Sequence, residues 1–290
     1  MSRNNLFKSW LKEAQQMLVE ALPDAKEVVD GARIEIVSIR SWISVRDRVA
    51  RECGESAHKR MLADKNIKDP NNGGEFISGS KGWAIVLKKE YIYEKGRFIE
   101  AVIHELMHAY YFEKSKKLGL RIDEYSDGIF PCREVGLGYC IWKEFSAQGM
   151  SKSICAANGV FDGKNPIEEL TGFLRDVIER SSGEGLIGMF FANLLFDGKL
   201  SNDADRRILL GNLLQKYDED VQEFFFELYP ILLASVEDNF LKGFDEEVLT
   251  TIGELADGIK MKVDVQTTMK FLLGAFSGKS SNRDITLAKA

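Results

Sequence analysis

The chain has 290 residues, with 45 acidic against 39 basic side chains, and a net charge of −6 with neutral histidines. Apolar residues make up 44% and charged residues 29%, which supplies a sizeable core and argues against long-range disorder. The weak acidity gives no support to a general nucleic-acid binder, which needs a basic stripe; residues 203–257, with 14 acidic and 4 basic side chains, would repel a phosphate backbone.

Residues 5–30 predict a helix. Leu6, Trp10, Leu11, Ala14, Met17, Leu18 and Ala21 recur at helical spacing, and Pro23 interrupts or ends the run. Residues 32–40 follow as a strand, with Ile34 and Ile36 between polar neighbours. Residues 42–62 read as helix or loop with undefined ends. Asp69-Pro-Asn-Asn-Gly-Gly74 is a strong breaker cluster. Trp83–Leu87, a short apolar run, predicts a second strand. Residues 97–117 predict a helix with Phe98, Val102, Ile103, Leu106 and Tyr110 on or near one face. Residues 119–138 are rich in Gly, Asp and Pro and read mainly as loop. A further helix is expected to begin near Leu137 or Tyr139 and to run past Gln148. After a break over 158–166, helices are expected at 166–180, 184–197, 203–217, 219–240 and 245–258, followed by a polar, frayed tail from 277 to 290.

The N-terminus has no apolar stretch of the kind a secretory signal needs. The apolar run Leu186–Phe196 is far short of the ~20 residues a membrane-spanning helix requires. Cys53, Cys132, Cys140 and Cys155 form no CxxC pair, so reduced thiols in a cytoplasmic, non-membrane protein are expected.

Only His58, His104 and His108 occur, and two of them lie in Ala101-Val-Ile-His-Glu-Leu-Met-His-Ala-Tyr110, an HExxH motif. Residues four apart project from one helix face, so both imidazoles can reach a single ion. Glu105 sits beside them and can take a proton from a metal-activated water. A catalytic zinc site usually has three protein ligands and one open position. No histidine follows His108, which excludes HExxHxxGxxH, and His58 would have to return from a distant segment. A carboxylate is therefore expected as the third ligand. Glu144 is the first candidate and Glu134 its main rival, with Asp123, Glu124 and Asp127 behind them.

HELMH followed by a helical glutamate, Glu144 within Trp-Lys-Glu-Phe-Ser-Ala-Gln148, resembles the gluzincin branch of the HExxH zinc metallopeptidases over about residues 80–150. The resemblance implies a zincin-like core with a small sheet and an active-site helix; with the helical pattern that follows, the expected fold is α+β, mainly helical, ending in a helical bundle. Residues 1–68 would form an N-terminal segment, 69–160 the catalytic core, 161–276 a helical subdomain and 277–290 the tail. Trp83–Leu87 takes the place of the strand that borders the cleft in that group. Gln148, four residues after Glu144, takes the place of a residue that often supports a ligating histidine, although an acidic residue is commoner there in thermolysin-like members.

The implied activity is hydrolysis of peptide bonds, with Zn2+ held by His104, His108 and Glu144, and with Glu105 as general base that later protonates the leaving nitrogen. A second electrophile is needed for the oxyanion, and Tyr110, Tyr111, Tyr125, Tyr139 and His58 are the candidates. The expected partner is a peptide or protein substrate, adding to the edge of Trp83–Leu87, in a selective or regulatory intracellular protease. The competing expectations are a non-catalytic zincin-like scaffold that binds proteins, its fourth position closed by Cys132 or Cys140, and a metal hydrolase acting on something other than a peptide.

Overall fold

In a computed structural model that describes residues 3–63, 73–90, 94–117, 130–160, 165–179, 184–196, 202–236 and 245–258, the first apolar stripe winds into α1 (Arg3–Ala21). Pro23 has no N–H to continue the ladder and forces Leu22 out of helical geometry, at φ −133° and ψ 84°. The expected helix over 5–30 is thus three pieces: α1, a 3-10 turn at Pro23–Ala25, and α2 (Lys26–Gly31). β1 is shorter than expected, at Ile34–Val37. The undefined stretch after it is two helices, α3 (Trp42–Cys53) and α4 (Glu55–Ala63), separated by Gly54.

β2 (Gly74–Gly79) and β3 (Gly82–Lys88) form an antiparallel hairpin, and β1 joins β3 in parallel, giving the order β1-β3-β2. Phe76 and Ile34 both stand opposite Ile85 in register. β3 is therefore the central strand, which corrects the expectation that Trp83–Leu87 forms an edge. Its near-continuous apolar run fits a strand covered on both faces. Ile85 and Leu87 point into the main core, while Ala84 and Val86 point into a second cluster with Trp42, Val49, Ala50 and Met61 under α3 and α4. The outer strand beside the long central helix is β2, which sequence patterning missed because its two apolar residues are flanked by glycines and the breaker cluster.

α5 (Lys95–Lys117) lies across the sheet and packs on α1, β2 and α6 (Arg133–Ala157). α6 starts earlier than expected. The glycines at 136 and 138, which suggested a loop, lie inside the helix. At Gly138 another helix comes close, and at Gly136 the Phe130 ring does. α7 (Pro166–Glu179), α8 (Gly185–Phe196), α9 (Asp203–Leu214), α10 (Glu219–Val236) and α11 (246–258) follow, near the expected positions. α11 crosses the start of α6 at two glycines. A Cβ at Gly138 would collide with the carbonyl of Leu249, and one at Gly253 with the carbonyl of Glu134. The tail expected to fray lies outside the described residues.

The molecule is α+β and mainly helical. One cluster of buried apolar side chains runs from Phe7 in α1, through α5 and α6, to Ala256 in α11. Among the described residues no helix is long and apolar enough to cross a membrane.

Candidate metal centre

The middle of α5 is buried from Phe98 to Phe112, because the sheet, α1 and α6 enclose it. Two histidines and a glutamate interrupt this apolar stretch. His104 is 9% exposed and Glu105 7%. Burying three polar side chains costs free energy unless they are paired or ligate something. One turn separates His104 and His108, and their Nε2 atoms lie 3.1 Å apart. α6 crosses at this point and brings Glu144, whose Oε2 is 3.3 Å from His104 Nε2 and 3.6 Å from His108 Nε2. These three residues form a group whose ligand atoms all lie within 4.8 Å of one another, and they could hold a metal ion.

The spacing can be tested against a zinc site. Ligands at ~2.0–2.1 Å in tetrahedral directions stand roughly 3.3–3.4 Å apart. The three observed separations bracket that figure. The donor set, two imidazoles and one carboxylate, is also one that zinc accepts with a position left open.

Glu105 is not part of the group. It turns to the sheet, where the backbone N–H of Phe76 donates to its carboxylate. In register, Phe76 stands opposite Ile85, and Lys88 N–H bonds the Gly73 carbonyl, so the Phe76 N–H points to the open side of β2. Gly74 allows this close approach. A Cβ there would sit 2.7 Å from Leu87 Cδ2 and 3.0 Å from Glu105 Oε1. The Phe76 ring lies along His108, with centroids 6.2 Å apart and planes 26° apart, and it also touches Phe112 and Trp83. β2 thus borders both the base and one histidine. Behind Glu144 lies α8, where a Cβ at Gly185 would sit 2.8 Å from Glu144 Cγ.

Burial pushes the Glu105 carboxyl up to about 7, and the charges of Glu144 and Glu75 act in the same direction. Burial pushes His108 down to about 4, against the pull of Glu144. For His104 burial also favours the neutral ring, but the hydrogen bond to Glu144 and the charges of Glu105, Glu144 and Glu100 outweigh it and raise its pKa. For Glu144 burial opposes ionisation, yet the two histidines and Lys143 hold it well below the usual carboxylate range. Glu144 ionised and His108 unprotonated are the forms that bind metal.

The other sequence candidates lie elsewhere. Glu134 sits in the first turn of α6, ten residues or ~15 Å of helix before Glu144. There its own backbone N–H and the Cys132 thiol hold its pKa low. Gln148 donates from Nε2 to Glu100 Oε1 at 2.7 Å rather than to a histidine, and Nδ1 of His104 is buried with no hydrogen-bond partner among the described residues. Tyr110 turns away from the group and donates to Asp24 Oδ2 at 2.9 Å. Tyr139 is buried beside Phe130, with ring centroids 6.1 Å apart. Tyr111 is buried against Trp142. His58 pairs with Asp47 at 2.9 Å, under the sheet's other face. Neither Cys132 nor Cys140 is in the metal-competent group. Asp123, Glu124, Tyr125 and Asp127 lie outside the described residues.

Sequence reasoning missed Gly74, Phe76, Gly185 and Lys143 around the group. Lys143 alone carried a signal, as a cation next to the suspected ligand. Searches against known protein families, curated proteins and solved structures return no match.

Proposed function

We propose that the protein is a zinc-dependent hydrolase of the gluzincin type that cleaves peptide bonds, with His104, His108 and Glu144 as ligands and Glu105 as general base. The observation that carries this proposal is the conjunction of two arrangements. The ligand atoms of three residues from two helices converge within 4.8 Å, and a buried carboxyl that is not a ligand stands beside them. A purely structural metal site has no use for Glu105. Its ionisation in a buried position is costly, and that cost makes sense where the group moves a proton.

A zinc ion bound here would polarise both a water molecule and the scissile carbonyl. Glu105 has a pKa of about 7 in the metal-free protein, close to that of an effective proton acceptor at neutral pH. The Phe76 N–H and Gly74 fix the carboxylate against the sheet, so it takes the water's proton from a set direction and returns it to the leaving nitrogen. An extended substrate would align along β2, the outer strand beside α5, rather than along β3, which is paired on both sides.

The test is metal content after purification and zinc reconstitution, for wild type, Glu144→Ala, Glu134→Ala and Glu105→Gln. About one zinc per chain is expected, lost in Glu144→Ala and kept in the other two. Glu105→Gln then serves as the inactive control in peptide-library profiling. A wild-type protein that retains no zinc refutes the proposal. One that holds zinc but cleaves no peptide leaves a binding scaffold.

A further inference from the structure

We propose that Lys143 is the second electrophile of this centre, the group that binds the oxyanion of a carbonyl under attack. The inference rests on the metal-hydrolase proposal above and adds a catalytic residue to it. Hydrolysis at a single ion places negative charge on the former carbonyl oxygen, and a second donor aimed at that charge contributes much of the rate enhancement.

Lys143 and Glu144 are neighbours on α6, and the two oxygens of Glu144 divide their work. Oε2 faces both histidines, while Oε1 lies 3.6 Å from the Lys143 ammonium. The cation therefore lies against one oxygen of the carboxylate whose other oxygen faces the two histidines. The Lys143 side chain is 39% exposed, more than His104, His108 or Glu144, so it borders the open side of the group.

The other candidates that the structure describes are engaged elsewhere. Tyr110 bonds Asp24, His58 bonds Asp47, Tyr111 is packed on Trp142, and Tyr139 is buried beside Phe130. Among the described residues Lys143 is the cation that touches the ligand set. An ammonium on a four-carbon stem can leave Oε1 for a developing oxyanion and return to it afterwards, with Glu144 held by the histidine side throughout.

The test uses the full chain loaded with cobalt(II), whose visible spectrum reports ligand binding without any substrate. Wild type, Lys143→Met and Lys143→Arg are titrated with methylphosphonate, a tetrahedral oxyanion, and with azide, which needs only the metal. Lys143→Met is expected to bind methylphosphonate about 10–100-fold more weakly, the worth of one charge-assisted hydrogen bond. Cobalt stoichiometry and azide affinity should hold, and Lys143→Arg should recover most of the methylphosphonate affinity. Equal weakening for both anions, or no weakening for either, overturns the assignment. So does loss of cobalt from Lys143→Met, which would make Lys143 a support for Glu144 only. A wild-type protein that takes up no cobalt refutes the metal centre itself, a result distinct from these.

Discussion

Replacing Gly185 with alanine tests whether the C-terminal helices set the third ligand. The new methyl would sit 2.8 Å from Cγ of Glu144 and 3.6 Å from its Cδ. Carbon atoms in contact prefer about 3.5–4.0 Å, so the nearer contact is short by about 0.7 Å. Either α8 retreats from α6 or the Glu144 side chain swings. Metal–ligand distances in working sites hold to about 0.2 Å, so a displacement of this size at the carboxylate is several times the tolerance. The expected result is zinc affinity reduced by about 10–100-fold, as for other residues that hold a ligand in place. Overpacking should cost the metal-free protein about 1–3 kcal/mol. Gly172→Ala, in α7 where an added Cβ meets nothing within 4 Å, is the matched control. It should leave zinc affinity unchanged and gain roughly 0.4–1 kcal/mol from the stiffer unfolded chain. The assay is competition with a chromophoric chelator, together with urea unfolding in EDTA. Gly185→Ala that loses stability but binds zinc like wild type would refute any link between α8 and the site.

Three further outcomes can be checked by unfolding measurements. Glu105 has its folded-state pKa raised from 4.5 to about 7, so it binds a proton more tightly folded than unfolded. Its stabilising contribution is complete below about pH 4.5 and is lost as pH rises through 7, so metal-free Glu105→Gln should gain on wild type by about 3 kcal/mol between pH 4.5 and pH 8. A difference that does not change with pH would refute the buried placement of the carboxyl. Arg46, 2% exposed, donates from Nη2 to Glu75 Oε1 at 2.6 Å and stacks on Trp42. Arg46→Met should cost about 3 kcal/mol by taking the guanidinium away from the part-buried Glu75 carboxylate, and adding Glu75→Met should restore part of it; a loss within the error of the urea midpoint would show the pair to be unimportant. Finally, free zinc at about a hundred times its dissociation constant should stabilise wild type by about 2.7 kcal/mol and raise its melting temperature by roughly 4–5 °C. Glu144→Ala should show almost none of that rise.

The parts of the site legible in the sequence are those set by one helical turn. His104 and His108 are four apart, and that spacing alone puts them on one face, with Glu105 beside them. Glu144 was separable from Glu134 only once the length of α6 was known, because Glu134 then falls in its first turn. The glycines of α6 concealed that start. Local propensity disfavours glycine in a helix, but the approach of Leu249 in a distant segment requires it at 138. β2 escaped notice for a related reason. Its residues become a strand by pairing with β3 and by giving the Phe76 N–H to Glu105, and neither contact leaves a periodic mark. Gly74 and Gly185 act only through the space they leave for a side chain on another element, which no local pattern reveals. Gln148 shows the limit of arguing from spacing. It lies one turn from Glu144, yet its amide reaches Glu100 on α5.

The crossing of α11 over α6 at Gly138 and Gly253 has a consequence for the order of assembly. Synthesis delivers the HExxH helix, α5, before α6 and well before the helices that pack behind α6. The helices that hold α6 from behind, α8 and α11, emerge much later. A chain cut short before Gly185 keeps both histidines and the packing of α6 on α5, but loses the α8 contact behind Glu144. In the proposed zinc centre such a copy would hold its third ligand less firmly and release the ion more readily to a chelator. Metal retention in the proposed centre would therefore report that α8 has docked on α6, and not merely that the ligands are present.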